Sequence, residues 1–327
     1  MRKYLYVIMA VFLLSIVSGC GEEEKDVTKK RSKEQVDKLS FVTAGQGGTF
    51  FPLGGGMAKV INDKGIAQVT VETSGGSVEN ARLLGRVDAD LGLLETGIAY
   101  YAAEGIEMFE GEKYENLRGI MTVYPNLLQM VVKADSGIES YADLKGKKVV
   151  VGQPGSSSML NLELVLNEYG LSIDDLNAQY SGFGEGIDLL KDGQVEATLV
   201  DVGVPAPAII DIATQHHINI LSIDEEVIES IGEKYAYFSN KVVIPAGTYN
   251  NQDEDIITAG VKVMLATRAD LSEELVYNMT KTIFEEKESI ANIHSSGENI
   301  NIDEALESMS IPLHPGAQKY IEEQQAN

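Results

Sequence analysis

The chain of 327 residues contains a single cysteine, Cys20, and only 26 basic residues against 50 acidic ones. One cysteine excludes a disulfide framework within the chain. The shortage of lysine and arginine leaves a net charge of −24, and such a field repels nucleic acid and anionic lipid, so no nucleic-acid partner is expected. An anion bound by this chain must be held by local dipoles. Nucleotide and catalytic signatures are also missing. No GxxxxGK[ST] occurs, Gly45–Phe50 (GQGGTF) lacks the last glycine of a dinucleotide fingerprint, and no GxSxG elbow is present. His216, His217, His294 and His314 lack the i, i+4 spacing of a zinc helix and are expected mostly at the surface. Asp253-Glu254-Asp255 lacks the glycine and the final glutamate of a calcium loop and reads as a solvated turn. No metal, no cofactor and no enzymatic activity are expected.

Apolar residues make up 44% of the chain, enough to bury a core. The run LYVIMAVFLLSIV, residues 5 to 17, follows Arg2 and Lys3. It is shorter than the roughly 20 residues of a membrane-spanning helix and matches the apolar region of a secretory signal. It ends in VSGC, which looks like a bacterial lipobox. Residues 1–19 are therefore expected to be a signal peptide, and Cys20 the lipidated first residue of an extracytoplasmic, membrane-anchored protein. Residues 20–38 carry almost no apolar side chains and read as a flexible tether.

From Leu39 the texture becomes that of an α/β protein, with short apolar runs alternating with amphipathic stretches. Strands are expected at 118–123 and 127–133 among others, and helices at 272–287 and 303–308 among others. Glycine and serine cluster repeatedly between a strand and the helix after it: TAGQGGTFFPLGGG (43–56), TSGGSVENARLL (73–84) and GQPGSSSMLNLELVL (152–166). Free amides at helix N-termini attract anions, and ligands of open α/β folds bind at the carboxyl ends of strands. Each loop also fits ordinary turn and cap chemistry, with Ser77 or Ser157 as a cap. A short internal echo points to two similar halves: LLGRVDADLGLLETG (83–97) resembles LLKDGQVEATLVDVG (189–203), each an apolar strand ending near an acid, Glu95 or Asp201.

The segments TAGQGGTFFPLGGGMAKVIN, VTVETSGGSVENARLL, DADLGLLETGIAY, VYPNLLQMVVKADSGIESYADLKGKKVVVGQPGSSS, VIPAGTYNNQDEDI, TRADL and IPLHPGA resemble, in order, the TAXI family of TRAP-transporter solute receptors. The resemblance implies a class II periplasmic-binding-protein-like α/β fold, in which two lobes joined by two crossover strands enclose a ligand cleft. It places residues 39–124 in lobe 1, 125–246 in lobe 2 and 247–327 back in lobe 1. It implies a monomeric receptor delivering a small organic anion, a glutamate-like amino acid or a 2-oxoacid or dicarboxylate, to a TRAP-type membrane permease. A receptor feeding a sensor kinase, or an enzyme related to pyrimidine synthases, are the alternatives.

Carried over by position, the site comprises Gly48, Thr49, Phe50 and Phe51; Gly76, Ser77 and Asn80; Glu95 and Thr96; and Tyr124, Gln153, Ser156, Ser157, Ser158 and Asp201. Amides and hydroxyls would grip a carboxylate, and the rings would exclude water. Relatives commonly carry tyrosine where this chain has Phe50 and Phe51, and Gln-Ser-Asp where it has Glu95-Thr96-Gly97. Glu95 would add an acceptor, favouring a ligand with an amino group, unless it caps an amide or pairs with Arg82.

Overall fold

A computed structural model describes residues 36–326, apart from 236, 239 and 240. The expected signal peptide, Cys20 and most of the tether lie outside the described residues. No helix among the described residues is long and apolar enough to cross a membrane.

The first elements alternate as the sequence pattern demands: β1 (Lys38–Val42), α1 (Phe50–Asp63), β2 (Gln68–Glu72), α2 (Ser77–Gly85), β3 (Leu91–Glu95), α3 (Thr96–Glu104) and β4 (Leu117–Lys133). A second set follows: β5 (Lys148–Val150), α4 (Ser158–Glu168), β6 (Asn177–Gln179), α5 (Phe183–Lys191), β7 (Ala197–Val202), α6 (Pro207–Ala213), β8 (Ile218–Leu221) and α7 (Glu225–Lys234). The chain then runs through β9 (Val242–Ile244), β10 (Ile256–Thr258), β11 (Gly260–Arg268), α8 (Glu273–Glu285), α9 (Lys287–Ala291) and α10 (Pro315–Gln325). Every residue of β3 and β7 is buried, the signature of strands covered on both faces.

Strand neighbours follow the order β2-β1-β3-β11-β4 and, beyond it, β6-β5-β7-β4-β8. In each array three parallel strands meet a long antiparallel one. The two arrays share β4. Its first part, up to Leu127, pairs with β11, and from Leu127 onward it pairs with β7 and, further along, β8. The echo noted in the sequence thus falls on equivalent pieces, α2–β3 and α5–β7.

Each array has its own core. Leu53, Met57 and Ile61 of α1 pack with Phe41, Leu93 and Val263, so helical burial outweighs the three glycines that weaken α1 intrinsically. Leu162 and Val165 of α4 pack with Val149, Leu199 and Leu128. Ile244, Tyr249 and Ile256, from the β9–β10 hairpin, pack with Leu190 and Ile209 of the second set.

Four expectations are corrected. The strands expected at 118–123 and 127–133 are one strand, because Pro125 pairs with Lys262 within the ladder where β4 changes neighbours. The helix expected over 272–287 breaks at Glu286. Residues 302–308 form turns, since a segment with one buried anchor, Ala305, is too short to nucleate a helix. His314 is buried: its Nδ1 accepts from the Gly316 amide at 3.2 Å and caps α10, and burial holds its pKa below the ordinary histidine value.

Candidate functional site

The loops that precede α1, α2, α4 and α5 converge around a cavity of about 240 Å³. In α1 the first amide bonded within the helix is Leu53, to Thr49; in α4 it is Asn161, to Ser157. The amides of Phe50 and Phe51, and those of Ser158, Met159 and Leu160, therefore have no partner inside their helices.

The α2 loop behaves differently. Val78 and Glu79 direct their amides at the carbonyl of Gly155, each at 3.1 Å, across to the β5–α4 loop. Gln153 Nε2 reinforces the contact by donating to the Gly75 carbonyl at 2.9 Å. A Cβ on Gly75 would sit 2.6 Å from the Pro154 carbonyl oxygen, so this approach requires glycine. The N-terminus of α2 is thus a latch between the arrays, and its Val78 and Glu79 amides are spent on protein.

Of the residues expected at the site, Gly48, Thr49, Phe50, Gly76, Ser77, Gln153, Ser156, Ser157, Ser158 and Asp201 line the cavity. Phe51, Asn80, Glu95, Thr96 and Tyr124 do not. Asn80 is buried and holds strands together, donating to the carbonyls of Thr43 at 2.6 Å and Leu93 at 2.7 Å. Tyr124 is buried with its hydroxyl facing Thr49 without closing a hydrogen bond. Thr96 passes its carbonyl to Ser310. Arg82 pairs with Glu112 and not with Glu95.

Beneath the cavity the two strand-end acids are joined by one amide. Asn161 Nδ2 donates to Glu95 Oε2 and to Asp201 Oδ2, both at 2.9 Å, and Asn126 Nδ2 donates to Glu95 Oε1 at 2.8 Å. Glu95 is 1% and Asp201 2% exposed. Burial raises the pKa of both, and for Asp201 the neighbouring Glu95 carboxylate adds to the rise.

Sequence reasoning missed Asn126, Asn161, Phe183 and Glu185. Phe183 and Glu185 sit in SGFGEG, a glycine cluster that runs from the loop after β6 into the first turn of α5, of the kind read as significant in the other three loops, so the signal was there. Asn126 and Asn161 are single amides inside apolar runs, with nothing local to mark them. Among the described residues no lysine, arginine or histidine lines the cavity, and no group of three or more metal-ligating side chains occurs.

Among solved structures, a protein from Bordetella bronchiseptica RB50 aligns at 16% identity and a TM-score of 0.50, over 87% of this chain and 88% of its own. The periplasmic aliphatic sulphonate binding protein SsuA from Escherichia coli aligns at 18% identity and 0.48, over 88% and 83%. A mutant of ArgBP from T. maritima aligns at 15% and 0.47, over 80% and 93%. The paired arrays sharing β4 form a mixed-sheet α/β fold, which the Bordetella bronchiseptica structure shares. The model of the NMT1-like family matches residues 41–324, nearly the whole described chain, and the protein therefore belongs to the NMT1-like family.

Proposed function

We propose that the chain is an extracytoplasmic solute receptor that captures a small organic acid and hands it to a TRAP-type membrane permease of the TAXI kind. The acid is a glutamate-like amino acid or a 2-oxoacid or dicarboxylate. The observation that carries this reading is the cavity: loops of both arrays surround it, helix N-terminal amides and hydroxyls furnish it, and lysine, arginine and histidine are absent from its described lining. The volume, below the roughly 300–1,000 Å³ of drug-sized pockets, suits a metabolite of few heavy atoms.

In this reading the arrays are two lobes. Lobe 1 comprises residues 38 to about 124 and 260 to 326, and lobe 2 lies between them. The chain crosses at Pro125-Asn126 and returns at Ala259, a position supported by the packing of Ile244, Tyr249 and Ile256 on lobe 2. Lipidation of Cys20 keeps the receptor at the membrane, and Cys20→Ala should release it to the medium or the soluble fraction.

The test is a thermal-shift screen against amino acids, 2-oxoacids and dicarboxylates. A ligand held only by the folded state raises the melting temperature, by about 2.7 kcal/mol of added stability at a hundredfold excess over Kd. A shift with an organic acid is expected. Shifts only with apolar or purely cationic compounds would sink the reading.

A further inference from the structure

Three oxygens of residues on the floor of the cavity carry no hydrogen bond. Asp201 accepts from Asn161 through Oδ2, while its Oδ1 has no partner; the Ser158 hydroxyl faces this carboxylate without closing a hydrogen bond. Asn126 has committed its Nδ2 to Glu95, which leaves its Oδ1 unpartnered at 4% exposure. The hydroxyl of Thr49, at 1% exposure, is unpartnered too. All three residues line the cavity. An ionised carboxylate and an amide oxygen can only accept, and a hydroxyl can accept as well, so with Asp201 ionised the floor calls for a donor-rich group.

Other parts of the lining have the opposite character. The free amides of α1 and α4 are donors, suited to one carboxylate; the hydroxyl of Ser156 already donates to the Gln153 carbonyl at 2.8 Å and that of Ser157 to Ser77 Oγ at 3.5 Å. Among the described residues, the only charged ones of the lining are Asp201 and Glu185. A second ligand carboxylate would meet these two acids with no cation to offset them. Phe50, Phe183 and Val202 supply apolar surface instead.

From this distribution we infer that the ligand is a zwitterionic amino acid with an uncharged side chain, its ammonium seated on Asp201, Asn126 and Thr49 and its carboxylate at the helix N-termini. The three N–H donors of a primary ammonium match the three unpartnered oxygens in number and sense. The inference rests on the receptor role proposed above and replaces its ligand: glutamate, 2-oxoacids and dicarboxylates become poor ligands and a neutral amino acid the preferred one. Asp201 is then the residue that separates an amino acid from its deaminated counterpart.

The test titrates the full chain calorimetrically with neutral L-amino acids from alanine to leucine, the 2-oxoacid of each, and glutamate, 2-oxoglutarate and succinate. At least one neutral amino acid should bind. Its 2-oxoacid and the three dicarboxylates should bind about 100-fold more weakly, because a site built around a ligand N–H leaves buried acceptors unpaired when that group is missing. Asp201→Asn should cost the amino acid a comparable factor and close the gap to its 2-oxoacid, while Asp188→Asn, at the exposed end of α5, should change neither. A 2-oxoacid or dicarboxylate that binds the unaltered protein as tightly as every neutral amino acid overturns the inference and leaves the receptor reading standing. If no compound binds, both fall. The matched ligands on the unaltered protein decide the matter even if Asp201→Asn does not fold.

Discussion

Glu95 and Asp201 occupy the same place in the two arrays, and only one of them meets the cavity. Each lies at the carboxyl end of the third strand of its array, beside the long antiparallel strand: Glu95 opposite Val263 of β11, Asp201 opposite Leu128 of β4. Both are almost wholly buried, and both accept from Asn161. Glu95 has a donor on each oxygen; Asp201 has one oxygen left over. Burial therefore does not tell the two acids apart. The state of the second oxygen does, since an unpaired buried acceptor calls for a partner that the protein itself does not supply.

The comparison can be broken most forcefully at the point where the two strands cross. A Cβ on Gly260 would lie 1.8 Å from the carbonyl oxygen of Asn126, backbone against backbone, with no flexible atom to yield. Gly260→Ala should cost on the order of 3–5 kcal/mol of folding stability, read by urea or thermal unfolding. A loss below about 1 kcal/mol would mean that β4 and β11 do not hold the two acids in one frame.

Next in size come the acids themselves, for which opposite signs are expected in the unliganded protein. Glu95→Gln sets an amide N–H2 against Asn126 or Asn161, which already donate there, and should destabilise by about 1–3 kcal/mol. Asp201→Asn keeps the acceptor for Asn161 and removes a buried charge, so it should stabilise at pH 8 by about 1–2 kcal/mol. The pH dependence follows from the direction of the shift. A carboxyl whose pKa is raised by folding adds stability in full below the ordinary carboxylate range and loses it as pH rises through the raised value. The advantage of Asp201→Asn should therefore shrink steadily on acidification, as melting curves from pH 8 to pH 4 would reveal. A constant difference would mean that Asp201 does not titrate across that window.

A smaller effect is expected at the latch. Gly75→Ala pushes a methyl towards the Pro154 carbonyl and should weaken ligand binding about 10-fold while changing the unfolding free energy by less than about 1 kcal/mol, because it opposes closure and not folding. Equal losses in both would merge the latch with the core. The smallest contrast is between adjacent rings. Phe50 lines the cavity and Phe51 does not, so Phe51→Tyr should leave ligand affinity within about twofold in the same titration.

Much of this arrangement was legible in the sequence. Glycine and serine between a strand and a helix marked the α1 and α4 loops, and the repeated strand–acid ending marked Glu95 and Asp201, because turns and helix starts are local in the chain. Asn126 and Asn161 could not be read. Each is a polar residue in an apolar run, and its meaning comes from acids 31 and 66 positions away along the chain. The α2 loop was legible as a helix start but not as a latch, since the carbonyl that takes its amides belongs to the other array. Pro125 suggested a break between two strands, and only the ladder to Lys262 reveals one strand running through.

The bonds from Val78 and Glu79 to Gly155 contain no ligand atom. Any separation of the α2 loop from the β5–α4 loop must break them, with or without a solute between the two.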